Sequence, residues 1–428
     1  MIMQFGYSQS AKYDSLWNDP ATEQMINNGI EENRKADYTI AIPPYNGATR
    51  LEIHQVKSDF FFGANAFMLN SFDTPEKNAR FEKLFASLFN LAVVPFFWRT
   101  LEPVQGTLRF DVASEPIYRR PPPDAVLQFC RKYNITPKGH CLVWNNPGQS
   151  MPDWLPKDTA AIEELFNGRI KTIAGRYGDS IKMWDVVNEA NNYFPQVIMP
   201  KDYVYKFFSL SDKIFPAADE LLINETTENV WMNNKEEYSP FYMMIQNLKL
   251  RGADVKGIGL QFHFFNNTLW EKTIAGDMMT PKQMYDVLNL YARFGKPLQI
   301  SEITIPTLPY NDYGKAQQAR LTKNFYRLWF SHPSVEAIVW WNSVDGTAVQ
   351  GEDKFNGGFV NNDFSPKPAC NVLNELINKD WKTNIDTTIK SKSSYTFRGF
   401  CGDYIIKIKQ GKNTKEQKIS IHKNRPQR

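Results

Sequence analysis

Eight short apolar runs recur through the middle of the chain, and this repeat constrains the fold more than any other feature of the sequence. The runs follow one another at intervals of roughly 35–45 residues, which leaves room for one helix and two loops between them. They occupy residues 60–67, 91–98, 135–144, 181–190, 220–226, 257–264, 297–305 and 335–342. Amphipathic helical sequence fills the intervals, for example at 159–177 and 281–294. Apolar strands that alternate with helices indicate a parallel sheet covered by helices, so eight of these units predict an α/β fold of the (β/α)8 TIM barrel type.

The two ends of the chain carry a different pattern. Residues 37–55 alternate between polar and apolar positions around the turn sequence PPYNG, which predicts a β-hairpin or a small sheet. Residues 394–423 alternate in the same way. We expect these segments to pair into one small accessory β-domain. The sequence is therefore divided into an N-terminal β segment (1–59), a (β/α)8 barrel (60–383) and a C-terminal β segment (384–428).

Composition excludes several classes of protein. Hydrophobic residues make up 42% and charged residues 22%, so the chain can bury a large core. The 50 Lys and Arg nearly balance the 46 Asp and Glu, which argues against a nucleic-acid or membrane-surface partner. No apolar run reaches the roughly 18 residues that a membrane span requires. The first residues lack the basic and apolar stretches of a leader peptide, and the compartment is left open.

The four cysteines form no CxxC pair, so neither a zinc site nor a dense disulfide framework is predicted. One bridge stays open as an alternative to buried thiols. We expect no metal and no organic cofactor.

In a barrel of this kind, functional side chains lie at the carboxyl ends of the strands. The predicted strand ends carry acids, imidazoles, amides and indoles, which would all meet at one mouth. These residues are His140, Trp144, Asn188, Glu189, Asn224, Glu225, Gln261, His263, Glu302, Trp340, Trp341 and Asp345.

Glu189 and Glu302 end the fourth and seventh strands, which lie across a narrow barrel from each other. Two such glutamates could flank a glycosidic bond, one as a protonated acid and the other as an ionised nucleophile. A separation of about 5–5.5 Å gives retention of configuration, and about 6.5–9.5 Å gives inversion. The sequence leaves this distance open, and a buried structural role for the pair is the alternative.

Five segments resemble glycoside hydrolase family 10, the retaining β-1,4-xylanases, over about residues 60–383. WDVVNEA (184–190) and ISEITIP (300–306) are similar to the acid/base and nucleophile segments of the family. GHCLVW, GIGLQFH and SPKPAC are similar to its GHxLVW, GIGxQxH and PKPAY motifs, in the same order. The resemblance implies that Glu189 is the general acid/base and Glu302 the nucleophile.

The resemblance also implies a set of substrate-binding residues. Asn188 would bind the 2-hydroxyl of the sugar at the cleavage site, and His140 its 3-hydroxyl side. His263 would hold the carboxylate of Glu302 and keep it ionised, while Gln261 lines the same subsite. Trp341 would form the aromatic wall, and Trp144 would contact substrate beside it. For each of these side chains a purely structural role is the alternative, and for Glu225 both roles stay open.

The chain departs from the family where the sugar on the non-reducing side is bound. The family motif ENxxKW is replaced by PFFWRTLEP (95–103), and Trp98 and Arg99 are the local candidates for sugar contact, with packing as their alternative. Asn145 stands where the family has a histidine, and Ala348 lies near the position of a second tryptophan. The glycone pocket has therefore changed.

These observations predict a monomeric retaining glycoside hydrolase that acts on a polysaccharide or oligosaccharide with β-1,4 links. Xylan, plain or decorated, is the expected substrate of this endo-β-1,4-xylanase-like enzyme, with endo or exo action left open. The alternatives are a retaining β-glycosidase for another β-glycan and a carbohydrate-binding barrel without catalysis.

Overall fold

The computed structural model describes residues 11–390 and 392–423. Eight parallel strands close into a barrel in the order β10-β3-β4-β5-β6-β7-β8-β9. Their bounds are β3 Phe61–Asn65, β4 Leu91–Pro95, β5 Thr136–Trp144, β6 Met183–Asn188, β7 Glu220–Glu225, β8 Gly257–His263, β9 Leu298–Thr304 and β10 Val335–Trp340. Each strand falls within or next to one of the eight apolar runs, and the predicted (β/α)8 barrel is confirmed.

Helices cover the outside of the barrel, and several begin with a side-chain cap and a proline in the first turn. The clearest case is a capping box in which Thr280 and Gln283 satisfy each other's backbone N–H groups. The helices are α1 Pro20–Arg34, α2 Pro75–Leu88, α3 Trp98–Leu101, α4 Pro123–Tyr133, α5 Thr159–Tyr177, α6 Tyr203–Ile214, α7 Pro240–Leu250, α8 Asn267–Ile274, α9 Pro281–Ala292, α10 Asp312–Ser331 and α11 Pro368–Glu375. Short π-helical or 3₁₀ turns occupy Glu228–Met232, Asp353–Phe355 and Leu376–Asp380.

Strands from the two ends of the chain pair with each other, as predicted. They are β1 Lys35–Ala41, β2 Ala48–Ser58, β11 Asn384–Lys390, β12 Ser394–Phe400, β13 Gly402–Gln410 and β14 Asn413–Ile421. β1 pairs with β12, while β2 lies between β11 and β13 in a four-stranded sheet that ends in β14. Of the two predicted alternatives for residues 37–55, the small sheet is found and the hairpin is not, because β1 and β2 belong to different sheets. Alternation identified β1, β2, β12, β13 and β14 but not β11, and it carries no information about which strands pair.

The N-terminal segment contains a helix that its sequence pattern did not predict. Helix α1 is polar overall, yet it packs along α10 on the outside of the barrel. Its last residue, Arg34, is buried and donates to the backbone carbonyls of Phe330, His332 and Val335. These bonds fix the N-terminal segment to the barrel. The division of the chain at residues 59/60 and 383/384 stays a prediction.

All four cysteines are free thiols. Cys130, Cys141 and Cys401 are buried and Cys370 is half-buried. Burial raises the pKa of Cys130 to about 12 and that of Cys370 to about 11, so both thiols stay protonated at neutral pH. Among the described residues, no helix has the length and apolar character that crossing a bilayer requires.

Replacing Ile406 by Ala should destabilise the four-stranded sheet. Ile406 is fully buried on β13 in an apolar cluster with Leu51 and Ile53. Loss of a buried isoleucine side chain should lower the free energy of unfolding by about 2–5 kcal/mol. Urea unfolding followed by circular dichroism would measure this change. Lys407→Ala, on the exposed face of the same strand, is the control, and equal destabilisation by both changes would contradict the packing described here.

Candidate active site

Glu189 and Glu302 meet at the carboxyl end of the barrel. Glu302 lies within β9, and Glu189 directly follows the last residue of β6. The side-chain nitrogen of Gln261, on β8, donates to Oε1 of Glu189 at 2.9 Å and to Oε1 of Glu302 at 3.1 Å. Because one nitrogen contacts both Oε1 atoms, these two oxygens lie no more than about 6 Å apart, so the two carboxyl groups face each other at close range.

Glu302 is buried and held from several sides. Asn224 donates to its Oε1 at 2.8 Å, and Nε2 of His263 lies 3.2 Å from its Oε2. Burial lowers the pKa of His263 to about 4, so the ring is neutral at pH 7. With Nδ1 of His263 3.0 Å from the hydroxyl of Thr304, Nε2 is the nitrogen positioned to donate to the carboxylate. This environment fixes the Glu302 side chain in one orientation.

Glu189 is half-buried and is also held by several hydrogen bonds. Trp144 and Asn192 donate to its Oε2 at 3.2 Å and 3.1 Å. Burial raises the pKa of Glu189 to about 8, and the negative charge of Glu302 adds to this increase. Burial also raises the pKa of Glu302, to about 7, whereas His140 and the hydrogen bond from Asn224 act in the opposite direction. Glu189 therefore holds its proton to a higher pH than Glu302 does.

The position of Asn224 depends on a glycine in the neighbouring strand. A Cβ at Gly259 would lie 2.2 Å from Oδ1 of Asn224, so a side chain there would displace the carboxamide. Ser301 donates to the same Oδ1, and Nδ2 of Asn224 donates to Asn188 at 2.7 Å as well as to Glu302. Asn224 was predicted at the mouth from its position at a strand end, but its sequence context indicated no role.

A line of buried polar side chains runs along the barrel interior towards Glu302. Nε2 of His140 lies 3.9 Å from Oε1 of Glu302, and its Nδ1 lies 2.9 Å from Asp185. Asp185 pairs with the buried Lys138 at 2.9 Å, and Lys138 donates to Gln299. The sequence contains a signal that could have predicted this line of side chains, namely polar residues inside otherwise apolar strands.

Aromatic rings surround the two carboxyl groups. Trp341 lies 5.4 Å from the ring of His140 and 5.9 Å from the ring of His263, measured between centroids. Phe97 lies 5.4 Å from His140 and 5.6 Å from Trp144. The structure thus brings together the predicted residues Glu189, Glu302, His140, Trp144, Asn188, Gln261, His263 and Trp341.

Trp98 and Arg99 do not join this cluster. Trp98 is 2% exposed, packs against Trp154 and Phe166 behind the barrel, and donates to Glu102. The predicted sugar contact of Trp98 is therefore corrected to a packing role. Arg99 pairs with Asp153 and donates to backbone carbonyls of the loop after β5, so its guanidinium stabilises that loop.

Three other predicted mouth residues have structural partners. Glu225 accepts from the backbone of Asn191 and Thr226, which holds the loop that follows Glu189. Asp345 forms a buried ion pair with Lys367 at 3.0 Å. Trp340 is fully buried and donates to backbone carbonyls.

Comparisons with known proteins place this geometry in a family. Residues 75–376 match the family model described as Glycosyl hydrolase family 10. The chain is 26% identical to anti-sigma-I factor RsgI6 of Acetivibrio thermocellus over 77% of this chain and 39% of that protein. It is 24% identical to endo-1,4-beta-xylanase 2 of Arabidopsis thaliana over 85% of this chain and 31% of that protein. The chain therefore spans less than half the length of either relative.

A solved structure shares the fold. Xylanase 10B from Thermotoga petrophila RKU-1, determined in complex with xylobiose, superimposes with a TM-score of 0.60 at 21% identity. The match covers 75% of this chain and 95% of that one. The likeness extends over the barrel architecture and leaves most side chains different.

Replacing Gly259 by Ala should raise the pKa of Glu302. The new methyl group would displace Asn224, and loss of its hydrogen bond to Oε1 removes an interaction that favours the charged carboxylate. pH-difference infrared spectroscopy would follow the carboxyl band, with Glu302→Gln used to identify it. Gly168→Ala is the control, because a Cβ there meets no atom within 4 Å. An unchanged Glu302 titration in Gly259→Ala would contradict the role given to Asn224.

Proposed function

The chain belongs to glycosyl hydrolase family 10, and on that premise we propose that it is a retaining glycoside hydrolase that cleaves β-1,4-linked xylan. The observation that carries the proposal is the amide nitrogen of Gln261 between two carboxylates whose oxygens lie within about 6 Å of each other. Close carboxyl groups of this kind support direct attack by one of them on the sugar, as in a retaining enzyme. The proposal covers a single chain acting on an oligosaccharide or polysaccharide.

The first step joins sugar to enzyme. Glu302 attacks the anomeric carbon through a carboxylate oxygen, and the bond to the leaving oxygen breaks as that oxygen takes the proton of Glu189. The order of the two pKa values supports this division of roles, since Glu189 is the carboxyl that keeps its proton to higher pH. The product of the step is a glycosyl ester of Glu302.

The second step releases the sugar. Glu189, now ionised, takes a proton from water, and the oxygen of that water attacks the anomeric carbon and displaces Glu302. Asn188 is positioned to bind the 2-hydroxyl, since its Nδ2 is buried without a hydrogen-bond partner in the described part of the chain. The indole of Trp341 supplies an apolar face beside the reacting sugar.

Replacement of Glu302 by Gln should abolish hydrolysis of xylan and of aryl β-xylosides. An amide cannot form the ester intermediate, whereas the wild-type enzyme should form one with a 2-deoxy-2-fluoro-xyloside that mass spectrometry locates on Glu302. Glu163→Gln, on the outer helix α5, is the control. Activity of Glu302→Gln close to that of the control would overturn the mechanism, and a first-formed product of inverted configuration would overturn retention.

The pH profile of kcat/KM should be bell-shaped, with its maximum between about 7 and about 8. Activity should rise as Glu302 loses its proton and fall as Glu189 loses its own. In Glu189→Ala, a dinitrophenyl β-xyloside needs no proton for its leaving group, so the alkaline limb should disappear. Persistence of that limb in the variant would assign it to another group.

A further inference from the structure

Two adjacent arginines lie beside the aromatic wall, on the loop 102–122 between α3 and α4. The guanidinium carbon of Arg120 is 4.3 Å from the ring centroid of Phe97 and 5.3 Å from that of Phe67. Phe67 and Phe97 contact Trp341 and His140 respectively. Phe97 follows the end of β4. The Arg120 guanidinium therefore lies beside the aromatic wall, one ring contact away from His140 and Trp341.

Both guanidinium groups are buried without a carboxylate bound to them. Arg119 is 2% exposed and Arg120 is 8% exposed. Arg119 donates to the backbone of Thr347 and to Asn342. Arg120 donates to the backbone of Arg119 and to Gln149. All these acceptors are neutral, and within residues 11–390 and 392–423 neither arginine forms an ion pair.

Unused hydrogen-bond donors remain on both side chains. Two of the five N–H groups of Arg120 donate to acceptors in the described part of the chain, and Nε of Arg119 is buried without an acceptor. Burial and the like charge of Arg119 lower the pKa of Arg120 to about 9. Glu352 attracts both groups, but its carboxylate accepts from Asn342 instead. Two neighbouring buried cations thus lack a bound anion.

The conformation of the loop supports a ligand-binding role. Arg119 has a φ of +59°, a left-handed backbone conformation that residues other than glycine rarely adopt. Such backbone strain is often found in loops that are held in a ligand-binding conformation. The ring of Phe97 packs against one face of the Arg120 guanidinium. The N–H groups along the edge of a guanidinium match the planar geometry of a carboxylate.

We propose that Arg120, supported by Arg119, binds the carboxylate of a uronic acid substituent on a glycan bound beside the aromatic wall. This deepens the proposed function and rests on it, since it makes acidic, uronic-acid-substituted xylan the substrate class. The buried charges that are unpaired in the free protein would then be neutralised by substrate. A neutral pentose branch would leave them unpaired, so decoration of that kind should not be favoured.

The test compares two polymers that differ only in charge. One is glucuronoxylan, and the other is the same material after its carboxyl groups have been reduced to primary alcohols. The full chain should hydrolyse the acidic polymer with a kcat/KM higher by roughly 10- to 100-fold, the range for a charge-assisted hydrogen bond. Equal rates on both polymers would overturn the inference without any variant.

Variants then assign the preference to the arginine. In Arg120→Gln, kcat/KM on the acidic polymer should fall to the value for the reduced polymer, with Arg120→Lys retaining part of the preference. Arg50→Gln, in the terminal sheet, is the matched control and should keep the wild-type ratio. Retention of the wild-type ratio in Arg120→Gln would overturn the assignment.

Unsubstituted xylo-oligosaccharides distinguish failure of the carboxylate subsite from failure of the proposed xylanase function. Hydrolysis of these neutral chains tests the proposed function alone. Turnover of neutral chains together with equal rates on the two polymers would reject the carboxylate subsite and leave the xylanase in place. Absence of turnover on every xylan would reject both.

Discussion

Each strand of the barrel is hydrogen-bonded to a neighbour on both sides, and this closure determines where every functional side chain lies. A strand cannot move along its axis without breaking two ladders, so the carboxyl ends of all eight strands meet at one rim. Gln261 on β8 can therefore contact carboxyl groups from β9 and from the residue after β6 at the same time. Register shifts next to His140, Asp185 and Gln261 adjust which side chains face the interior.

The barrel interior supports the site electrostatically as well as sterically. Asp185 lies between Lys138 and His140, so its negative charge is balanced on the side away from Glu302. Despite complete burial, the pKa of Asp185 is lowered, because the attraction of Lys138 and the hydrogen bond from His140 outweigh desolvation. A fixed charge beneath the rim of the cleft orients His140 before substrate arrives. Such preorganised charges need no rearrangement during the reaction.

Sequence patterns predicted the parts of the molecule that follow from local periodicity. The eight apolar runs identified the barrel, and the rule that functional residues follow strand ends placed Glu189 and Glu302 at one mouth. Periodicity could not find α1, because its residues are mostly polar and its stability comes from Arg34 and its contacts with α10. It could not distinguish Trp98 from the cleft aromatics either, since the direction of a side chain after a strand depends on the turn that follows. The contact between Asn224 and Gly259 could not be predicted from the sequence either, because it depends on the register between two neighbouring strands.

The four-stranded terminal sheet has a consequence for biosynthesis. His54 on β2 faces Asn384 on β11, and these residues are 330 positions apart in the chain. At about 5–20 residues per second, β2 leaves the ribosome on the order of tens of seconds before its partners do. Its apolar residues Leu51 and Ile53 are exposed on an unpaired edge for that time, a state that favours aggregation. The terminal sheet can therefore form only after the ribosome has completed the barrel, because β11 and β13 both follow it in the chain.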